Sequence, residues 1–264
     1  ATNADRGPST IALDGDANGL LWDDASQTLF IADNDNNRIL QYTDAAGISK
    51  VADLPPTTAS QGPGLGQLAR TSDGTFLVTR FGFGVNGDVV IAKADGTSSA
   101  IPGLDPTRRR IGITVAADGT IFDSYFTKGS AADLGAVAKL TLDGSETQVV
   151  GGFQKPVGLA AIGDSLYISD QDLGQLLVAP STTQSAAIVF AQLPNADIVC
   201  AGPNGSIFSG GSDGNVRQIS ASGATTVFAG GFQAARGVAY DPTNHRLFVA
   251  DHGTNDAIQI RPVD

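Results

Sequence analysis

The side chains able to do chemistry in this sequence fall at two recurring places. Short apolar runs end on Asp33, Arg80, Tyr125, Asp170, Gly211 and Asp251. Other runs begin at Asn18, Gly66 with Gln67, Arg110, Val157, Asp197 and Arg236. Where the ends of one set and the starts of the other share a face, acids, arginines and amides converge. Carboxylates in such a ring can move protons, and arginines can hold an anion through charge-assisted hydrogen bonds. His252 directly follows Asp251, and an imidazole is the side chain suited to proton traffic near neutral pH.

Positioning these groups requires a β-rich scaffold. Asp-Gly occurs at 14–15, 73–74, 95–96, 118–119, 143–144 and 213–214, and Asn-Gly at 18–19, 86–87 and 204–205. These pairs favour the positive-φ corners of tight hairpins. Runs such as Leu29-Phe30-Ile31-Ala32-Asp33 and Leu247-Phe248-Val249-Ala250-Asp251 have strand length and composition. Gly19-Leu20-Leu21-Trp22-Asp23 precedes the first as Gly237-Val238-Ala239-Tyr240-Asp241 precedes the second. The run ends recur every 40 to 47 residues, so six units of about 44 residues span the chain, a period of propeller size. The expected fold is an all-β, single-domain, six-bladed propeller over residues 1–264, with four antiparallel strands per blade. Ser9-Thr10-Ile11-Ala12-Leu13 is a spare strand that closes the ring by completing the last blade.

In a blade lettered a to d from the channel outward, the start of strand a and the end of strand b lie on one face. That face also carries the long connections 54–64, 81–87 and 126–135 and the basic run Arg108-Arg109-Arg110. They raise one wall of a mouth where a binding site is expected.

Composition excludes several classes. The 264 residues carry 16 Lys and Arg against 27 Asp and Glu, a net charge of −11, which opposes nucleic-acid binding. Only Glu146 among the acids is a glutamate. No apolar run approaches the roughly 20 residues of a membrane helix. A single cysteine, Cys200, permits no internal disulfide, and two histidines permit no multi-histidine metal cage. The chain opens Ala1-Thr2-Asn3-Ala4-Asp5 without Met, as a mature end left by leader removal would. An exported bacterial protein, periplasmic or extracellular and monomeric, is expected.

The segments Asn18 to Asp23 and Arg236 to Asp241, each with its following Leu-Phe-Ile/Val-Ala-Asp strand, resemble the family of gluconolactonases, senescence marker protein and luciferin-regenerating enzyme. Asp33-Asn34-Asp35-Asn36-Asn37-Arg38-Ile39 is similar to the end of an NHL repeat. The resemblance implies one divalent cation, calcium, on the channel axis, held by Asn18 and Asp197 at the matching strand starts. Val157 and Arg110 or Ile111 stand where the family has its other ligands. It also implies hydrolysis of lactones or related esters. Asp197, or Asp251 with His252, would activate water, and Arg80, Arg110, Tyr125 and Arg236 would bind an anionic small-molecule substrate. The alternative is a non-catalytic, NHL-like propeller that binds a small ligand or a protein on the same face.

Plainer roles compete with these. Asp33, Asp170 and Asp251 can cap turn N–H groups. Arg108-Arg109-Arg110 can pair with nearby Asp on a solvated loop. Cys200 reads as a small buried hydrophobe. Asp123 occupies an apolar place, so it is buried and paired or the register slips there.

Overall fold

The computed structural model describes residues 8–58, 60–182, 186–253 and 257–264. The expected mature end at Ala1–Asp5 and Ala59 of the long 54–64 connection lie outside them. Strand β1 is Ser9–Ala12. The first repeat holds β2 (Ala17–Asp23), β3 (Thr28–Asp33), β4 (Arg38–Thr43) and β5 (Gly47–Asp53). The second holds β6 (Leu65–Arg70), β7 (Phe76–Arg80), β8 (Asp88–Ala92) and β9 (Ser98–Ala100). The third holds β10 (Arg109–Val115), β11 (Ile121–Thr127), β12 (Leu134–Leu140) and β13 (Glu146–Phe153). The fourth holds β14 (Pro156–Ile162), β15 (Ser165–Asp170), β16 (Gln175–Pro180) and β17 (Ile188–Gln192). Next come β18 (Ala196–Ala201), β19 (Ile207–Gly211), β20 (Asn215–Ile219) and β21 (Thr225–Gly230). The last are β22 (Ala235–Asp241), β23 (Arg246–Asp251) and β24 (Ala257–Pro262).

The first four repeats each form a separate four-stranded sheet, in strand order along the chain. The remaining strands correct the expectation of six separate four-stranded blades. They form one eight-stranded sheet in the order β1-β24-β23-β22-β19-β20-β21, with β18 also on β19. The junction is the pairing of Gly211 with Ala235. Glycine makes it possible. A Cβ on Gly210 would sit 2.1 Å from the Arg236 carbonyl oxygen and 2.8 Å from that of Ala235.

Strand β1 pairs antiparallel with β24, from Ser9 opposite Ile260 to Ala12 opposite Ala257. Ile11 joins Leu20, Leu29, Ile31, Phe248 and Ile258 in one core between the two chain ends. Deleting residues 1–13 removes this strand and uncovers β24. Burial of the Ile11 side chain alone is worth about 1.5–3 kcal/mol, so a melting temperature at least about 5 °C lower is expected. An unchanged melting curve for the truncated protein would refute the closure.

The first strands touch one another in the cycle β2, β6, β10, β14, β18, β22 and back to β2, and so surround a central channel. Their approach is close: a Cβ on Gly237 would sit 2.0 Å from the Asn18 carbonyl oxygen. Every first-to-second strand pair carries a register shift near its start, after Ala17, Leu65, Arg110, Pro156, Ala196 and Ala235. A bulge of this kind re-aims the side chains that follow it. No helix among the described residues is long and apolar enough to cross a membrane.

Candidate functional site

The residue after each of those six positions faces one mouth of the channel. They are Asn18, Gly66, Ile111, Val157, Asp197 and Arg236, and all line a cavity of about 370 Å³. Asp16, Lys155, Gln171 and His252 complete its polar side, and Phe81 and Phe83 stand on the other. Its size suits a small molecule. Gln67 closes the channel beneath. Its side-chain N–H groups donate to the carbonyls of Leu159 and Val199, and its oxygen accepts from the N–H groups of Ile113 and Leu159. That one buried amide ties together β10, β14 and β18.

Asp197 is 3% exposed. Its Oδ1 accepts from the Ile198 N–H at 3.0 Å, and its Oδ2 lies 3.4 Å from an Arg236 Nη1. Burial pushes its carboxyl up to about 6, against the opposing pull of the Arg236 guanidinium. Arg236 Nε is buried without a hydrogen-bond partner among the described residues. His252 Nδ1 and Asp16 Oδ1 share a hydrogen bond at 2.5 Å, and Asn34 donates to the other Asp16 oxygen. Lys155 donates to Gln171, which donates to the Ala196 carbonyl. Asn18 donates to the Leu65 carbonyl.

Asn18, Asp197, Arg236 and His252 are thus brought together, while four other expected site residues are engaged elsewhere. Arg110 lies one residue before the bulge and is fully buried in its own sheet. There it pairs with both Asp123 and Glu146. Ile111 takes the place at the mouth that Arg110 was expected to hold. Asp123 is accordingly buried and paired. Burial, reinforced by the neighbouring Glu146 charge, raises its carboxyl against the pull of Arg110. Tyr125 is 5% exposed, its ring covered by the Arg108 guanidinium at 3.9 Å. Arg80 is 2% exposed and contacts Asn37, the Pro55 carbonyl and Asp88. Asp251 accepts from the N–H groups of Gln233 and Ala234 and from Gln259. Asp170 caps Gln154 and Lys155 similarly, and Asp33 caps Asp16. These aspartates hold the approach to the first strand in place. Cys200 is a free thiol, pushed up to about 12 by burial.

Lys155, Asp16 and Gln171 were not singled out as site residues from the sequence, whereas Gln67 was named with Gly66 among the strand starts. Gln67 carried a signal: its counterparts in four repeats are Gly19, Gly112, Gly158 and Gly237. Lys155 stands two residues before Val157, close enough to reach the same mouth.

The donor set does not fit the expected calcium ion. Ile111 and Val157 are apolar where oxygen ligands would be needed. Asp197 is in contact with Arg236, Asp16 with His252, and Lys155 adds a further positive charge. Among the described residues no group of three or more His, Cys, Asp or Glu is placed to hold a metal. Calcium takes 6–8 oxygens, and of the six ring positions only Asn18 and Asp197 carry a side-chain oxygen.

Comparison of the sequence with protein-family models and with curated proteins finds no match. Solved structures do match. A gluconolactonase from Xanthomonas campestris superposes with a TM-score of 0.76 at 18% identity, over 97% of this chain and 89% of that chain. The chain has the gluconolactonase fold. The same fold includes a calcium-binding regucalcin from Agrobacterium tumefaciens, with a TM-score of 0.70, 16% identity and coverage of 98% and 97%. It also includes virginiamycin B lyase from Staphylococcus aureus, with a TM-score of 0.66, 15% identity and coverage of 96% and 98%. The gluconolactonase fold therefore serves more than one chemistry, and the side chains at the mouth must decide which applies.

Proposed function

We propose that the chain hydrolyses a lactone or related ester at this mouth, with Asp197 as the general base. The observation that carries the reading is the buried Asp197 carboxyl in contact with Arg236, in a small-molecule cavity that Lys155 also lines; burial pushes that carboxyl up to about 6. The ionised Asp197 takes a proton from water as the water oxygen attacks the ester carbonyl carbon. Arg236 and Lys155 stabilise the negative oxygen that develops there. The C–O bond to the leaving oxygen then breaks, and the proton passes from Asp197 to that oxygen. His252, oriented by Asp16, stands on the same side to relay it. The test is turnover of a lactone and ester panel by wild type and by Asp197→Asn.

Binding without turnover is the second reading. It is favoured by the fact that both Asp197 oxygens already have partners, the Ile198 N–H and Arg236. Under it no member of the panel is cleaved.

Because the donor set does not suit calcium, neither turnover nor melting temperature should change with a chelator or with added calcium. A ligand that binds the folded state raises its stability with occupancy. A calcium-dependent rise in melting temperature would therefore show that the chain does bind calcium.

A further inference from the structure

The cavity has two unlike sides. Asp16, Asn18, Lys155, Asp197, Arg236 and His252 are polar, whereas Leu65, Phe81, Phe83, Ile111 and Val157 are not. Phe81 and Phe83 are only partly buried, and their rings meet edge to face with centroids 5.1 Å apart.

Phe83 holds an unusual backbone. Its φ is 53°, between Gly82 at 58° and Gly84 at 87°. The other non-glycine residues in this region among those described are Gln27, Asn37, Asn195, Asn204 and His245, all polar. A bulky apolar residue here is strained, and strain of this kind persists where the surroundings enforce it, commonly at ligand sites. The enforcement is visible. An Arg109 Nη2 donates to the Phe83 carbonyl at 2.9 Å, and the Arg109 guanidinium lies 5.7 Å from the Phe81 ring centre. Gly64, at φ 60°, leaves room for both rings: a Cβ there would sit 3.1 Å from Phe81 and 3.2 Å from Phe83.

We propose that Phe83, backed by Phe81 and positioned by Arg109, is a platform that selects ligands carrying an aromatic ring, with their ester or carboxylate end turned to Arg236 and Lys155. An aryl face gains from contact with such rings, whereas the Leu65, Phe81, Phe83, Ile111 and Val157 side chains carry no group that could pair with the hydroxyls of a sugar ring. The inference uses the same cavity as the proposed hydrolysis and names its substrate class.

Two measurements test it. The first is the ratio of kcat/KM for dihydrocoumarin to that for δ-valerolactone, which lacks the benzo ring. The second is calorimetric binding of 3-phenylpropanoate against propanoate. Phe83→Asn keeps a residue that tolerates left-handed backbone and removes the ring, whereas Phe83→Tyr keeps the ring. The kinetic ratio should fall roughly tenfold in Phe83→Asn and hold in Phe83→Tyr, with the melting temperature of Phe83→Asn not lowered. Wild type should bind 3-phenylpropanoate more tightly than propanoate. An unchanged ratio in Phe83→Asn would overturn the inference while leaving hydrolysis standing. If nothing is cleaved but 3-phenylpropanoate binds and Phe83→Asn weakens it, the platform stands and the hydrolase reading falls. Equal binding of the two acids by wild type overturns the platform in either case.

Discussion

Asp197→Asn is expected to lower kcat for any lactone or ester that the wild type cleaves by about 10²–10⁴-fold, the usual contribution of a positioned base. The substitution is nearly isosteric. The Asn oxygen can still accept from the Ile198 N–H, and Arg236, whose side chain is 36% exposed, keeps contact with water. The fold should therefore survive. Stability should shift in a defined direction. The folded-state pKa of about 6 lies above the ordinary carboxylate value, so the folded protein holds this proton more tightly than the unfolded chain. That contribution is complete below about pH 4 and is lost as pH rises through about 6. Asn carries no such loss. The variant should melt no lower than wild type at pH 8, and its advantage should shrink toward pH 4.5. Melting curves at the two pH values, with circular dichroism of the variant, check this. Melting well below wild type at pH 8 would mean that Asp197 is mainly a structural partner of Arg236.

Arg110→Ala should damage stability rather than substrate binding. Arg110 is fully buried between Asp123 and Glu146, and its side chain does not line the mouth cavity. Removing it leaves two carboxylates facing one another with their shared cation gone. Breaking a buried pair in this way costs about 3–5 kcal/mol, or a fall in melting temperature of roughly 10 °C for a chain of this size. Arg108 still reaches Glu146 at 2.9 Å, which moderates the loss but leaves Asp123 exposed to it. KM for substrate, measured well below the melting point, should not change. A raised KM with an unaltered melting curve would return Arg110 to the site.

The two outcomes for Asp197 and Arg110 reflect what a sequence can carry. The repeat spacing located the first four sheets, because Asp-Gly and Asn-Gly turns and apolar runs recur with it. It also placed Asn18, Asp197 and Arg236 at the mouth. The bulge after Arg110 has no residue signature, and a one-residue slip in a strand reverses which face a side chain takes. Ile111 therefore faces the cavity while Arg110 is turned into its own sheet. The merging of the last strands into one sheet depends on backbone approach at Gly210 and Gly211. In a chain with 33 glycines, such a pair does not announce itself. Asp16 and His252, far apart in sequence, meet only because the strands come full circle, which also brings Lys155 to the same cavity. Phe83 was visible as part of a long connection, but its left-handed backbone was not.

The proposed hydrolysis at the channel mouth stands or falls with Asp197 as its base. The most direct test is the pH dependence of kcat/KM for a cleaved lactone, from pH 4.5 to 8.5, corrected for spontaneous hydrolysis and measured with chelator present. Since the ionised carboxylate takes the proton, the rate should rise with pH through an apparent pKa of about 6 and level off above it. Asp197→Asn should lack that limb and retain only a small, flat residual rate. Full activity in Asp197→Asn, or the same limb near pH 6 in both proteins, would rule out Asp197 as the base and place the chemistry elsewhere.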